Sequence, residues 1–185
     1  MNLYLRGRGH KTLPQYFLMA LTALIIAFVF AAALFDVRTG IIPRQLSLFG
    51  LISGLLFHAF AGGFLSAVAA AVIGFAVGLT FFQLGAIGGG DVKLITALGA
   101  LLGLRSWVVA MEVAVMMAAL LALVEVTRRG LLRRTCRNIF DICKSLYNFG
   151  FKAHPHINVN NLSMVRTPFG VAAAFGTVFA IWVAR

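Results

Sequence analysis

Acidic residues are scarce in this sequence. Only five of its 185 residues are Asp or Glu, and charged residues of both signs make up 11% of the chain. A soluble domain is usually about a quarter charged and about half apolar, whereas 61% of these residues are hydrophobic. The shortage of charge therefore argues against a soluble fold. It predicts an all-α, polytopic membrane helical bundle that forms a single domain over residues 1–185.

Cysteine is scarcer still, with Cys136 and Cys143 as the two examples. They lack the second pair that a zinc knuckle needs, and in a cytoplasmic loop they would stay reduced. The histidines give no better metal signal, since His154 and His156 have neither a Cys nor a carboxylate nearby and His58 stands alone between aromatic residues. The sequence therefore indicates no metal site and no cofactor, and His58 is interpreted as an interfacial residue.

Long apolar segments recur along the whole chain. The first is 20 residues long, which suits a helix that crosses the membrane and exceeds the apolar core of about 7–15 residues in a signal peptide. The fourth is too short to cross alone and must include the residues around Asp91. About six transmembrane helices are predicted, over residues 16–35, 46–60, 64–84, 94–104, 106–126 and 168–184. In the third, Gly74 and Gly78 form a GxxxG pair that favours close packing.

Positive charge is concentrated between the last two segments, in a basic loop over residues 127–167. If all six helices cross the membrane, this loop lies on the same side of the membrane as the connections that follow helices one and three. The positive-inside rule assigns that side to the cytoplasm. The turn at 61–63 is then outside. Arg6, Arg8 and Lys11 oppose this topology but are outnumbered by the loop's eight cations: Arg128, Arg129, Arg133, Arg134, Arg137, Lys144, Lys152 and Arg166. Since no aromatic-interleaved basic motif accompanies these cations, the expected partner is the lipid bilayer and not a nucleic acid.

Two aspartates stand beside apolar segments. Asp36 directly follows the first, and Asp91 lies between the third and the fourth. Ionisable groups at membrane depth are costly and are functional candidates. If both reach one pocket at the cytoplasmic edge, they form a carboxylate pair that shares a proton, as aspartic proteolysis requires. The alternative is structural, since Asp91 could simply cap helix four.

The residues around Asp91 form the predicted active-site loop. Gly88, Gly89 and Gly90 favour a backbone turn that side chains would block, and they leave room for an extended substrate beside Asp91. Lys93 either steers an acidic group of the substrate at the mouth of the site or extends to the membrane interface. Of the remaining acids, Glu112 is interpreted as packing inside the bundle, and Glu125 as an interfacial ion pair with Arg128 or Arg129.

Three motifs resemble the type IV prepilin peptidases, which are membrane aspartyl proteases with a GxGD signature. GAIGGGDVKL carries that signature, with Gly88, Gly90 and Asp91 in the motif positions. FDVRTGIIPRQLS resembles the element with the first aspartate, here Asp36, and Thr167-Pro168-Phe169-Gly170 resembles the start of the family's final helix. The resemblance implies an aspartic endopeptidase that removes the leader of prepilins, with Asp36 and Asp91 as the catalytic dyad. It points to the short enzymes of tight-adherence (Flp-type) pilus systems in the bacterial inner membrane.

The sequence also departs from that family. Arg44 replaces the usual Asn after Ile-Pro, and the domain with two CxxC pairs is missing, so N-methyltransferase activity is not implied. The expected partner is the apolar helix of a prepilin or pseudopilin, presented at the cytoplasmic face. Two alternatives are another GxGD protease of the preflagellin type and a non-catalytic scaffold or transporter of a pilus or secretion system.

Overall fold

The computed structural model describes residues 15–131, 137 and 168–184, and every regular element in that part of the chain is an α-helix. The helices are α1 (Gln15–Thr39), α2 (Arg44–Ala61), α3 (Phe64–Gln83), α4 (Gly89–Arg128) and α5 (Phe169–Val183). The predicted all-α bundle is confirmed. Most of the basic loop, including both cysteines, His154 and His156, lies outside the described residues, as do Arg6, Arg8 and Lys11.

Helix α4 is interrupted at Gly103, whose φ of 70° and ψ of 167° are not helical. The left-handed value of φ suits a residue without a Cβ. The interruption divides α4 into a first segment (89–102) and a second segment (104–128), which match the predicted fourth and fifth helices. As expected, the fourth begins before Asp91, at Gly89.

The polar groups beside this interruption find partners on other helices. The N–H of Leu104 donates to Ser66 Oγ (3.0 Å), and the ring Nε2 of His58 donates to the carbonyl of Leu101 (3.2 Å). A backbone N–H or C=O group left unpaired in an apolar environment would raise the free energy of the folded protein by roughly several kcal/mol. His58 is therefore a buried structural residue, and its interpretation as an interfacial residue is corrected.

The helices pack closely through glycine. A Cβ on Gly54 would lie 2.6 Å from the backbone of Ala100 and Leu101, and one on Gly99 would lie 2.7 Å from the backbone of Ala70. Small residues let membrane helices approach in this way. The predicted GxxxG packing is confirmed as well, because Gly74 and Gly78 are both buried against α4.

The contacts also give the directions of the helices. Gly78 lies against Val92 and Gly74 against Ile95, so α3 runs antiparallel to the first segment of α4. Trp107 Nε1 donates to the carbonyl of Ile95 (3.2 Å), which shows that the second segment folds back along the first. The ends of α1, α3 and the second segment of α4 therefore lie at one end of the bundle, together with the starts of α2, α5 and the first segment of α4. We call this end of the bundle the site end.

In the part of the chain that the structure describes, four helices, α1 to α4, are long and apolar enough to cross a membrane, and α5 is a shorter apolar helix. Large apolar side chains are exposed on all of them, for example Phe30, Phe60, Leu65, Met116, Phe175 and Trp182. Such a surface is typical of a multi-pass membrane protein, whose solvent is hydrocarbon. The number of six crossings stays a prediction.

Candidate active site

Asp36 lies one turn before the end of α1 and is half-buried. Its Oδ2 accepts a hydrogen bond of 2.6 Å from the backbone N–H of Gly170, at the start of α5 and 134 residues further along the chain. The motif around Asp36 and the Pro-Phe-Gly motif therefore meet. The sequence predicted both motifs but not their contact.

Asp91 is the third residue of α4 and is also half-buried. Its Oδ2 accepts a hydrogen bond of 3.0 Å from the N–H of Gly88, and Gly88 is the N-cap residue. A carboxylate at this position satisfies an N–H that the helix leaves unpaired, and it interacts favourably with the helix dipole. The carboxylate of Asp91 thus does stabilise the start of the helix, although the N-cap position itself belongs to Gly88.

The two aspartates lie at the same end of the bundle. After Asp36 the chain turns at Gly40, whose φ is 63° and whose N–H donates to the carbonyl of Asp36 (2.9 Å). It then reaches Ile42, whose backbone N would lie 3.5 Å from a Cβ on Gly90. The segment that leaves the first aspartate therefore packs against the residue that precedes the second.

The structure corrects the predicted loop. Gly89, Gly90 and Lys93 lie in the first turns of α4, and Gly88 precedes them in extended backbone, with φ of −81°. The left-handed turn before the helix is made by Gly85, with φ of 72°. Gly88, Gly89 and Gly90 are therefore not needed for the turn, and a Cβ at any of these positions would lie 3.4 Å or more from other atoms.

Basic residues are frequent near the helix termini on this side of the bundle. Five exposed ones lie there: Arg38, Arg44, Lys93, Arg128 and Arg129. Arg129 Nε donates to Glu125 Oε1 at 2.6 Å, which confirms the predicted ion pair for that arginine. Arg44, the departure from the resembled family, is the first residue of α2 and is exposed.

Glu112 does not pack inside the bundle. It lies on the exposed face of the second segment of α4, so the prediction of an internal packing role is wrong. Among residues 15–131, 137 and 168–184, no three His, Cys, Asp or Glu side chains lie close enough together to hold a metal ion. The described residues at the site end offer carboxyl groups, backbone N–H groups and nearby cations.

A comparison with known protein families gives one match. The type IV leader peptidase family matches residues 23–123, which is just over half of the 185-residue chain. The match contains both Asp36 and Asp91, whereas Gly170 lies beyond it. No curated protein and no solved structure matches the chain. The all-helical bundle and the extent of the family match lead to one conclusion: the chain belongs to the type IV leader peptidase family.

Proposed function

We propose that the protein is an aspartic endopeptidase that removes the leader peptide of prepilin-like proteins, with Asp36 and Asp91 as its catalytic dyad. The observation that carries the proposal is that the leader peptidase match contains both aspartates. The geometry supports it, because α1 and α4 bring both carboxylates to one end of the bundle and each is held by a glycine N–H.

The reaction needs one proton on the pair. The ionised carboxylate takes a proton from water while the protonated one donates a hydrogen bond to the scissile carbonyl. Water then adds to the carbonyl carbon to give a tetrahedral intermediate. Its collapse breaks the C–N bond, and a proton from the dyad goes to the leaving amine. The pair ends with one proton, as it began, so no cofactor is needed.

The positions of the cations support a cytoplasmic active site. Among the described residues, five cations lie on the side of the site end, namely Arg38, Arg44, Lys93, Arg128 and Arg129, whereas Arg105 lies beside Gly103 at the opposite end. Loops and helix ends that carry Lys and Arg stay in the cytoplasm. We therefore place the dyad at the cytoplasmic face of the bacterial inner membrane, where a prepilin would present the junction between its leader and its apolar helix.

The resemblance to the short enzymes of Flp-type pilus systems supports cleavage without N-methylation. The proposed substrate is a small pilin with a basic leader and an apolar helix. That helix would lie against the exposed apolar faces of the peptidase helices while the extended junction reaches Asp91.

Replacement of either aspartate by asparagine tests the dyad. Asp36→Asn and Asp91→Asn should each lower leader cleavage by at least about 10³-fold, and the double variant should be scarcely worse, because the two groups act as one unit. The measurement is the ratio of processed to unprocessed prepilin in cells that express each variant at equal membrane levels.

Glu112→Gln is the matched control, because it removes another acidic group within α4 and should retain near-normal cleavage. Substantial cleavage by either aspartate variant would contradict the dyad. It would favour the alternative of a scaffold or transporter without this chemistry.

A further inference from the structure

Gly170 is the second residue of α5, which begins at Phe169 after Pro168. The first N–H groups of a helix have no acceptor within that helix and take one from elsewhere. Gly170 takes the Oδ2 atom of Asp36, at 2.6 Å. Hydrogen bonds to a charged acceptor are short and strong, and the positive end of the helix dipole adds to this one.

The contact leaves no space for a side chain. A Cβ on Gly170 would lie 2.9 Å from both Cβ and Oδ2 of Asp36, and 3.3 Å from the carbonyl oxygen of Ala32. The Asp36 carboxylate would have to turn. Because the Cβ of Asp36 moves only with its backbone, α1 or the start of α5 would also have to shift, and either change would displace the carboxylate from the rest of the site.

Gly88 donates the corresponding hydrogen bond to Asp91, but a Cβ at Gly88 would not clash with it. A Cβ on Gly88 would lie 3.4 Å from Asp91 Oδ2, which is an ordinary van der Waals distance. Its φ of −81° and ψ of 156° are open to any residue. The two glycines therefore make the same kind of hydrogen bond, but only Gly170 must lack a side chain to make it.

We propose that Gly170 is a positioning residue for Asp36. Its N–H holds one carboxylate oxygen, and its missing side chain lets the start of α5 reach that oxygen, so that the second oxygen is fixed relative to the substrate and water. The inference rests on the proposed function, in which Asp36 is a member of the dyad.

The test compares Gly170→Ala with Val178→Ala, an exposed position about two turns further along α5, in the full-length protein, reconstituted in proteoliposomes with a purified prepilin. Because a misplacement of about 1 Å can cost about 100-fold in rate, Gly170→Ala should lower kcat by about that factor while KM changes by less than about threefold. Val178→Ala should leave kcat within about threefold of the wild type. Equal kcat values for the two alanine variants would overturn the inference.

Thermal unfolding gives a second readout that does not depend on activity. Gly170→Ala should lower Tm in the wild-type background and lower it less in an Asp36→Gly background, where both clashing atoms of Asp36 are gone. If Gly170→Ala alone does not fold, the double variant should still fold. An equal loss of Tm in both backgrounds, or a double variant that also fails to fold, would show that Gly170 does not act through Asp36.

The two proposals fail differently. If Asp36→Asn still cleaves prepilin, the dyad is wrong, whatever the alanine variants do. If Asp36→Asn is inactive and Gly170→Ala keeps the wild-type kcat, the dyad stands and the positioning role of Gly170 is overturned.

Discussion

The two aspartates are held in the same way but over very different distances along the chain. Asp91 bonds to the N–H of Gly88, three residues before it, whereas Asp36 bonds to the N–H of Gly170, 134 residues after it. The first bond needs only the start of α4. The second exists only when α1 and α5 are packed together, so half of the proposed dyad depends on local structure and half on the tertiary fold.

The largest effect should come from breaking the packing of α5. Gly176 lies against the backbone of Ala110 and Ala114, with no room for a Cβ. Gly176→Leu should destabilise the protein by about 1–3 kcal/mol through overpacking. It should also lower cleavage strongly, because α5 carries the N–H that Asp36 needs.

Thermal unfolding in detergent and prepilin cleavage would measure these two effects. The control is Phe175→Leu. Phe175 directly precedes Gly176 but is 57% exposed, so this change should alter neither Tm nor cleavage. A Gly176→Leu variant with wild-type Tm and cleavage would show that the packing of α5 does not govern the position of Asp36.

A smaller effect should follow from removing the local bond. Gly88→Pro deletes the N–H that Asp91 accepts from, while the φ of −81° at this position is close to the value that proline requires. We expect cleavage to fall by about 10-fold, in line with the roughly 1.5 kcal/mol of one hydrogen bond to a charged group, with little change in Tm. Gly88→Ala keeps the N–H and controls for the added side chain, and wild-type cleavage by the proline variant would show that the bond to Gly88 is dispensable.

The smallest effect should come from the cation that follows each aspartate by two residues. Arg38 and Lys93 are both exposed, and salt screens exposed charges. Arg38→Gln and Lys93→Gln should each change KM by less than about threefold and leave kcat unchanged, with the difference shrinking as salt rises. Initial rates over a range of prepilin and salt concentrations would measure this, and a loss of kcat in either variant would place that cation in the chemistry.

The difference between the two bonds also marks what could be predicted from the sequence. Apolar runs of 11 to 21 residues predicted the positions of the helices. The start of α4 at Gly89, however, lies inside the glycines that were predicted to form a loop. The contact between Asp36 and Gly170 could not be predicted, because no local pattern links residues 134 positions apart. The Pro-Phe-Gly motif predicted the start of α5 but gave no indication of a partner for Gly170.

The position of Glu112 was predicted wrongly for a related reason. In a soluble helix the apolar face identifies the core, but in a membrane helix the faces toward lipid and toward the bundle are both apolar. The second segment of α4 carries Trp107 and Ala110 in the core and Val115 and Met116 on the surface. Composition alone could not place Glu112 on one face or the other.

The length of one helix segment has a consequence for the surrounding lipid. The first segment of α4, which carries Asp91 near its start, runs only from residue 89 to the interruption at Gly103. At 1.5 Å per residue it rises only about 20 Å, roughly 10 Å less than the thickness of a bilayer's hydrocarbon core. Hydrophobic mismatch of this size is relieved when the bilayer thins around the short segment. Such thinning brings the headgroup region, and the water that it holds, toward the proposed dyad.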